Sequence, residues 1–317
     1  MGLFARLSGK SAEPDTKNAT TRTTAATADR IKNVLGIRQL ESMPSQAARA
    51  FQLASDPNAK GADFVKVIES DEIISARIVR VANSVYFFRG TPANDIDKAV
   101  ANIGLDELRC LLSASMLKSL LQGRHPAREQ IWANGVGTAI CCRALSRFTN
   151  ISEGEAFLCG LLHDVGKLVM IRRGGELYDR VIRKVGADGK TFIEAEEEIF
   201  ELNHVEVGKW VGEVWSFPKP VIQAIEGHHE PWTKDSARIG KGTSRAMLVK
   251  AADTIAHFLG IGHPPQVASL RRKAIEELPH ALKQLGISTK DGDSFIQNFD
   301  KQFDEEFSRY QLEEFQS

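Results

Sequence analysis

The sequence predicts an all-α fold, and three observations support that prediction. Apolar residues recur at helical spacing in most segments from residue 31 onward, as Ile74, Ile78 and Val81 do in "DEIISARIVRVANS". No stretch alternates apolar and polar residues with the valine, isoleucine and threonine enrichment that is typical of β-strands. Capping residues and glycines separate the periodic segments. We therefore expect a helical domain over residues 31–262, with segments of different composition at either end.

Composition and charge narrow the class of protein. Of the 317 residues, 42% are hydrophobic and 26% charged, as in ordinary globular proteins. Lys and Arg together number 41, as do Asp and Glu, so there is no basic field to bind nucleic acid. No apolar run is long enough to form a transmembrane segment. The cysteines lie in apolar segments without metal-site spacing, so we interpret them as reduced core residues of a cytoplasmic protein. They are Cys110, Cys141, Cys142 and Cys159.

The first segment, residues 1–30, is rich in threonine, alanine, serine and charge. Such a composition offers little apolar surface to bury, so the segment is predicted to be disordered. Its first ten residues combine three large apolar side chains with two basic ones, which is also compatible with a short amphipathic turn that touches a membrane or a partner. A frayed terminus is the interpretation we favour.

Residues 31–125 form the first predicted lobe of helices. Asp95 and Asp106 are suitable starts for two helices, and Gly104 separates them. Asn83 follows a periodic apolar segment, which favours a local hydrogen-bonding or capping role over a place in a ligand site.

Residues 126–262 form the second predicted lobe, also helical. Periodicity predicts helices over 130–148, 153–163, 176–185, 192–201, 204–215, 219–228 and 244–259. Pro218 and Pro220 suit a helix start, where a missing backbone N–H costs little. Trp210 and Trp215 are expected to close the core around the same region.

The last segment, residues 263–317, is predicted to be a helical extension. Its aromatic residues recur every three or four positions: Phe295, Phe299, Phe303, Phe307 and Tyr310. Residues 300–317 also carry six acidic against two basic side chains. An acidic helix with one aromatic face needs something to cover that face. Packing onto the domain is the interpretation we favour, and docking of a partner protein or of a second copy in a homodimer is the alternative.

Three stretches, in order, give the chain a resemblance to a known family. They are "VIESDEIISARIVRVANSVYFFRGTPANDIDKAVANIGLDELR", "FLCGLLHDVGKLVM" and "FELNHVEVGKWVGEVWSFPKPVIQAIEGHHEPW". Together they resemble HDOD proteins, a bacterial signalling branch of the HD superfamily that is related to the HD-GYP proteins. The match spans roughly residues 35–232, with one departure at Asp71-Glu72, where the family has Asp-Pro. The resemblance implies a helical HD-like fold and a regulatory function.

The resemblance also implies a set of metal ligands. Catalytic HD enzymes hold a metal with a His on an earlier helix, a His-Asp pair and a later Asp, which here correspond to Asn134, His163 with Asp164, and Asp253. An amide is a weaker donor than imidazole, so this metal position is expected to be impaired. Lys167 lies near the phosphate in catalytic relatives, or else is a solvated charge at a helix end. If the protein were an enzyme, His163, Asp164 and Lys167 would be its catalytic residues.

Two-metal HD-GYP phosphodiesterases recruit further histidines, for which His204, His228 and His229 are the candidates beside Asp164. These residue types suit a divalent transition metal such as Fe, Mn or Zn. The "GYP" signature is missing after the paired histidines, where the chain reads "HHEPWTKDSARIG", so cyclic-dinucleotide hydrolysis is not supported. A buried His-Asp cluster that only stabilises the fold is the alternative. A lone histidine such as His257 is interpreted as an ordinary surface or core residue.

From the altered ligand set we expect a non-catalytic regulatory protein in signal transduction that acts by binding a protein partner. One version of this hypothesis adds a small-molecule ligand. One alternative is a metal-dependent phosphohydrolase or phosphodiesterase with an altered HD metal site. Another is a nucleotide-binding sensor without turnover.

Overall fold

The computed structural model describes residues 16–38, 40, 43, 45–56, 58–120, 125–262 and 267–311. Within these ranges every regular element is a helix and no strand occurs, which confirms the predicted all-α fold. Among the described helices, none combines the length and the apolar character needed to cross a bilayer.

The residues described up to 120 form six α-helices. They are α1 (Thr16–Val34), α2 (Ser45–Ser55), α3 (Gly61–Glu69), α4 (Glu72–Ala82), α5 (Ile96–Ile103) and α6 (Leu105–Leu120). Asp71 starts α4 by accepting hydrogen bonds from two backbone N–H groups of its first turn, and Asp95 caps α5 in the same way with one. Gly104 separates α5 from α6 at φ 84°. Helix α6 begins one residue before Asp106, which lies in its first turn.

Helix α1 differs from the disorder predicted for residues 1–30. Residues 16–30 belong to this helix, although they contain few apolar side chains. The physical reason lies at its C-terminal end, where Ile31 and Leu35 are buried in the core and Arg30 pairs with Glu206 of the second lobe. The amphipathic turn considered for the first ten residues lies outside the described residues.

Asn83 has the local role that the sequence indicates. Its side-chain oxygen accepts a hydrogen bond from the Ala93 N–H (2.7 Å), and its amide donates to the Ala93 carbonyl (2.9 Å). The pair of bonds satisfies both ends of the amide and holds the loop between α4 and α5 against the end of α4.

Arg109, in the "GLDELR" part of the family hallmark, is a buried cation that organises the first lobe. Its guanidinium donates to the carbonyls of Leu53 (3.2 Å), Asp56 and Ala59 (3.2 Å), which follow one another around the end of α2. It also lies over the ring of Phe64, 5.4 Å from the centroid. One side chain thereby adds charged hydrogen bonds to three carbonyls of the turn after α2, where Leu53 and Asp56 also accept from backbone N–H groups.

The second lobe contains eight helices. They are α7 (Ala127–Leu145), α8 (Glu153–Leu162), α9 (Val165–Gly174), α10 (Glu176–Asp188), α11 (Phe192–Phe200), α12 (His204–Val214), α13 (Lys219–Gly227) and α14 (Arg245–Leu259). All seven predicted helices are present within a few residues of their predicted bounds, and α9 is the additional one. Helix α7 packs on α8 and α14, and α9 packs on α12. Trp210 and Trp215 are buried, as expected.

Glycines allow α9 and α12 to approach unusually closely. A Cβ atom at Gly166 would lie 1.9 Å from the carbonyl oxygen of His204 and 2.8 Å from the backbone nitrogen of Gly208. Gly166 belongs to the "HDVGK" stretch and Gly208 to the "HVEVG" stretch, so both motif glycines serve one helix contact.

The C-terminal extension contains α15 (Ala268–Gln284) and α16 (Thr289–Ser308). The aromatic face of α16 packs onto the domain, with Phe295, Phe299 and Tyr310 buried and Phe303 and Phe307 half-buried. The structure therefore confirms the interpretation that the aromatic face of α16 packs onto the domain. A homodimer through α16 stays a prediction.

Arg143 on α7 joins both lobes to the C-terminal extension. Its guanidinium bonds Glu107 on α6 (2.7 Å) and Glu306 on α16 (3.1 Å). The Tyr310 hydroxyl donates to Glu107 (3.3 Å), and its ring stacks on Phe157 with the centroids 5.4 Å apart. These partly buried charges meet where three parts of the chain converge.

All four cysteines are buried with free thiols, which confirms their interpretation as core residues. Burial raises the pKa of Cys110 to about 12, so its thiol stays protonated at neutral pH. Reactive thiol chemistry has no basis at such a site.

Candidate metal centre

The centre begins at the junction of α8 and α9. His163 ends α8 and Asp164 precedes the first residue of α9, so both side chains turn into the interior at the helix break. His163 Nδ1 donates to the carbonyl of Gly160 (2.7 Å), and its Nε2 lies 3.3 Å from Asp164 Oδ2. Burial opposes the charged ring, but the Asp164 carboxylate raises the pKa of His163 above its ordinary value.

Lys167 lies one turn further along α9 and is only 5% exposed. Its Nζ donates to Asp164 Oδ2 (2.6 Å) and lies 4.4 Å from the centroid of the Phe192 ring. The interpretation of Lys167 as a solvated helix-end charge is therefore wrong. Burial alone would raise the pKa of Asp164, but His163 and Lys167 hold it well below its usual range. The carboxylate is ionised, with Oδ2 bonded to lysine and Oδ1 directed elsewhere.

Three histidines from later helices face Asp164 Oδ1. His204 is the first residue of α12, and its Nε2 lies 3.4 Å from that oxygen. His228 ends α13, and its Nε2 lies 3.7 Å from the same atom. The Nε2 atoms of His204 and His229 are 3.0 Å apart. One ligand atom from each of these four residues lies within 4.8 Å of all the others, with His229 exposed at the edge and the rest buried.

The four residues fit a divalent transition metal. Asp164 Oδ1 and His228 Nε2 are buried and have no hydrogen-bond partner, an arrangement that a cation would satisfy. His228 Nδ1 donates to the carbonyl of Ile225 (2.8 Å), which leaves the Nε2 lone pair free, and burial lowers the pKa of His228 so that the ring is neutral. Metal–ligand bonds of about 2.1 Å in a tetrahedral site put donor atoms about 3.4 Å apart. The separations of 3.4 and 3.7 Å from Asp164 Oδ1 are close to that value.

Asp253, which the resemblance placed among the ligands, lies beside this group and not within it. Its Oδ1 accepts from Asn134 Nδ2 (3.2 Å) and Thr138 Oγ1 (3.4 Å), and it lies 3.8 Å from His163 Nε2. Its Oδ2 lies 3.3 Å from His257 Nε2. Burial would raise the pKa of Asp253, but His257 lowers it well below its usual range. Asn134, which the resemblance predicts to replace a ligand histidine, thus bonds the Asp253 carboxylate through its side-chain amide.

Two residues of the centre were missed at the sequence level. His257 was interpreted as an ordinary histidine, although it follows Asp253 by four residues on a helix and so shares its face. Glu196 is fully buried and its carboxylate bonds both the ring and the backbone of His204. It lies in the acidic run "EAEEEIF", a composition that is typical of a solvated helix face.

The fold and the centre together define a class of protein. A helical domain in which a His-Asp pair at a helix junction meets histidines from two later helices has the arrangement of the HD superfamily. Within that class, residues 40–231 match the HDOD domain model, and the chain belongs to the HDOD domain family. This confirms the resemblance seen in the sequence.

Solved structures and a curated protein are also similar to this chain. An HDOD domain protein of unknown function from Geobacter sulfurreducens superposes with a TM-score of 0.71 at 24% identity, covering 92% of this chain and 98% of that one. A Marinobacter aquaeolei protein, provisionally assigned to signal transduction, gives 0.68 at 20% identity, covering 91% and 66%. At these identities the likeness shows the fold alone. An uncharacterized protein from Treponema pallidum is 27% identical over 221 residues, which are 66% of this chain and 40% of that protein. The chain thus spans less than half the length of that relative.

Proposed function

We propose that this HDOD protein is a non-catalytic component of signal transduction that binds one divalent transition metal and acts through contact with a protein partner. The metal, of the Fe, Mn or Zn type, would be held by Asp164, His204, His228 and His229. The observation that carries the proposal is the hydrogen bond from Asn134 to Asp253, at the position of a ligand histidine in catalytic relatives.

Hydrolysis of a phosphodiester by two metals needs ligand sets on both sides of the reacting phosphate. On one side, Asp253 accepts hydrogen bonds from Asn134 and Thr138, and residue 134 offers an amide where an imidazole ligand would be needed. On the other, Lys167 bonds Asp164 and is buried, so it is engaged away from any phosphate. These arrangements favour a single metal and no turnover.

A bound divalent cation would supply Lewis acidity and a strong electrostatic link among its ligands. In this chain those ligands begin α9, begin α12 and follow α13, so they come from three separate helices. Because metal binding stabilises the state in which its ligands converge, occupancy would stabilise this arrangement of the three helices. A partner that reads this arrangement would respond to the metal.

Metal content tests the first half of the proposal. Protein purified without chelators and analysed for metals is expected to hold about one ion per chain, and calorimetric titration of metal-free protein should give the same stoichiometry. His229→Ala should weaken binding without disturbing the core, because His229 is exposed at the edge of the centre. His280→Ala changes an exposed histidine on α15 and is the matched control, expected to bind as wild type does.

Turnover and partner capture test the second half. Wild-type protein is expected to release no product from phosphodiester substrates, and capture from the native host should recover a partner that depends on metal loading. Turnover in wild-type protein that disappears in Asp164→Asn would refute the non-catalytic assignment.

A metal-dependent phosphohydrolase is the second candidate, favoured by the buried, unpartnered Asp164 Oδ1 facing three imidazoles. Appearance of hydrolysis only in Asn134→His would identify an HD centre that lost its reaction through that one ligand. Stabilisation against heat by nucleotides, without product release, would favour the sensor alternative instead.

A further inference from the structure

Glu196 is a buried carboxylate beside the candidate centre, outside its four ligands. It lies on α11 with 0% exposure, whereas its neighbour Glu198 pairs with lysines at the surface. Glu196 Oε2 accepts from the backbone N–H of His204 (2.7 Å) and contacts His204 Nδ1 (2.6 Å). Glu196 Oε1 accepts from the Tyr178 hydroxyl (2.8 Å). Three hydrogen bonds therefore offset the cost of burying this charge.

These contacts determine which nitrogen of His204 carries a proton. Glu196 Oε2 already accepts the His204 backbone N–H and Oε1 the Tyr178 hydroxyl, so the carboxylate is the acceptor at Nδ1 as well, Nδ1 is the donor and Nε2 has the free lone pair. That lone pair faces Asp164 Oδ1, and across the 3.0 Å contact the Nε2 of His229 is then the donor to it. The tautomer of His204 is the one that a metal ligand bonded through Nε2 requires.

The three buried histidines differ in what supports Nδ1. His163 and His228 bond the neutral carbonyls of Gly160 and Ile225, whereas His204 bonds a carboxylate. A carboxylate behind an imidazole increases the ring's basicity and orients it more strongly than a neutral acceptor does. His204 is therefore the strongest of these imidazole donors.

We propose that Glu196 is a positioning residue of the metal centre, which holds His204 in the Nδ1–H tautomer and strengthens its bond to the metal, while Tyr178 holds Glu196. This inference rests on the proposed function, namely that the four residues bind a metal. It assigns a role to a side chain that belongs to no HD ligand position in the sequence.

Metal titration of two variants and a control tests the role. Glu196→Gln is expected to weaken Zn²⁺ or Mn²⁺ binding by about 10- to 100-fold, the usual effect of losing an outer carboxylate. Tyr178→Phe removes one buried hydrogen bond but keeps the carboxylate, so it should lower thermal stability and change affinity by less than about threefold. Glu198→Gln, on the exposed face of the same helix, should leave affinity unchanged.

A spectroscopic measurement separates positioning from a merely structural role. Imidazole ¹⁵N NMR of metal-free wild-type protein should show His204 as the Nδ1–H tautomer, and Glu196→Gln should show a mixture or the other form. Because this readout needs neither a metal nor a variant, it remains decisive if Glu196→Gln fails to fold.

The possible failures are distinguishable. Wild-type protein that binds no metal overturns the proposed centre itself. Wild-type protein that binds metal, with Glu196→Gln within about twofold of it, overturns only the role of Glu196. An Nε2–H tautomer for His204 in wild-type protein would do the same, as would a loss of affinity that follows thermal stability equally in Glu196→Gln and Tyr178→Phe.

Discussion

Gly166→Ala tests whether the close approach of α9 and α12 holds the candidate centre together. The added methyl carbon would lie 1.9 Å from the His204 carbonyl oxygen, whereas ordinary contact begins at 3.4 Å. The two helices would therefore have to separate locally by about 1.5 Å, since both close atoms belong to backbone and cannot rotate away. The backbone nitrogen of Gly208, also on α12, would lie 2.8 Å from the added carbon.

Two effects of known size follow from that displacement. Overpacking a buried helix contact costs about 1–3 kcal/mol, and we expect the upper end because backbone meets backbone. A displacement of about 1.5 Å also exceeds the roughly 0.5 Å tolerance of a preorganised site, so the 3.4 Å separation of His204 Nε2 and Asp164 Oδ1 would be lost. Metal affinity should fall at least tenfold.

Urea unfolding followed by circular dichroism measures the first effect, and calorimetric metal titration measures the second. Gly61→Ala is the matched control, because its Cβ at the start of α3 would meet nothing nearer than 3.5 Å. That change is expected to be neutral or to stabilise by up to about 1 kcal/mol. If Gly166→Ala unfolds within about 0.5 kcal/mol of wild type and binds metal equally well, the close-contact reasoning is refuted.

Three further outcomes are expected. Arg109→Met should lower the free energy of unfolding by about 2–4 kcal/mol in urea titration, since it removes the hydrogen bonds of a buried cation to three carbonyls, although those of Leu53 and Asp56 keep a backbone donor; a loss below about 1 kcal/mol would mean that water replaces the guanidinium. Arg143→Met leaves the partly buried Glu107 and Glu306 without their cation, so limited proteolysis should cleave the C-terminal extension sooner than in wild type. Metal occupancy measured by equilibrium dialysis should decrease as the pH falls below about 6.5, because protons compete with the metal for the imidazole lone pairs and burial lowers the pKa of His228 below its ordinary value; an occupancy that stays constant down to about pH 5 would contradict histidine ligation.

Helix positions could be predicted where capping and periodicity agree, as at Asp95 and over the helices of the second lobe. Residues 16–30 could not, because what anchors α1 is the burial of Ile31 and Leu35 beyond that segment. The composition of residues 16–30 cannot reveal the tertiary contacts that Ile31 and Leu35 make. The disorder predicted there followed from composition alone.

The candidate centre was partly predictable. Resemblance named Asp164 and the three histidines, but it left open whether Lys167 lies in the site or is a solvated helix-end charge, and neither alternative included its bond to Asp164. Glu196 had an available signal: it falls four residues after Phe192 and four before Phe200, on the buried face of α11. Which glutamate of α11 is buried depends on the rotation of the helix about its axis, and tertiary contacts determine that rotation.

The contacts of Arg143 with Glu107 and Glu306 determine where this domain can be truncated for expression. The HDOD domain model matches residues 40–231. Helix α14, which contains Asp253, and the whole C-terminal extension lie outside this range. Helix α14 packs on α7, α8 and α13, and the Tyr310 hydroxyl donates a hydrogen bond to Glu107 on α6. A fragment limited to residues 40–231 would therefore expose core side chains that α14 and the C-terminal extension cover. The shortest fragment that keeps the core covered extends at least to Tyr310.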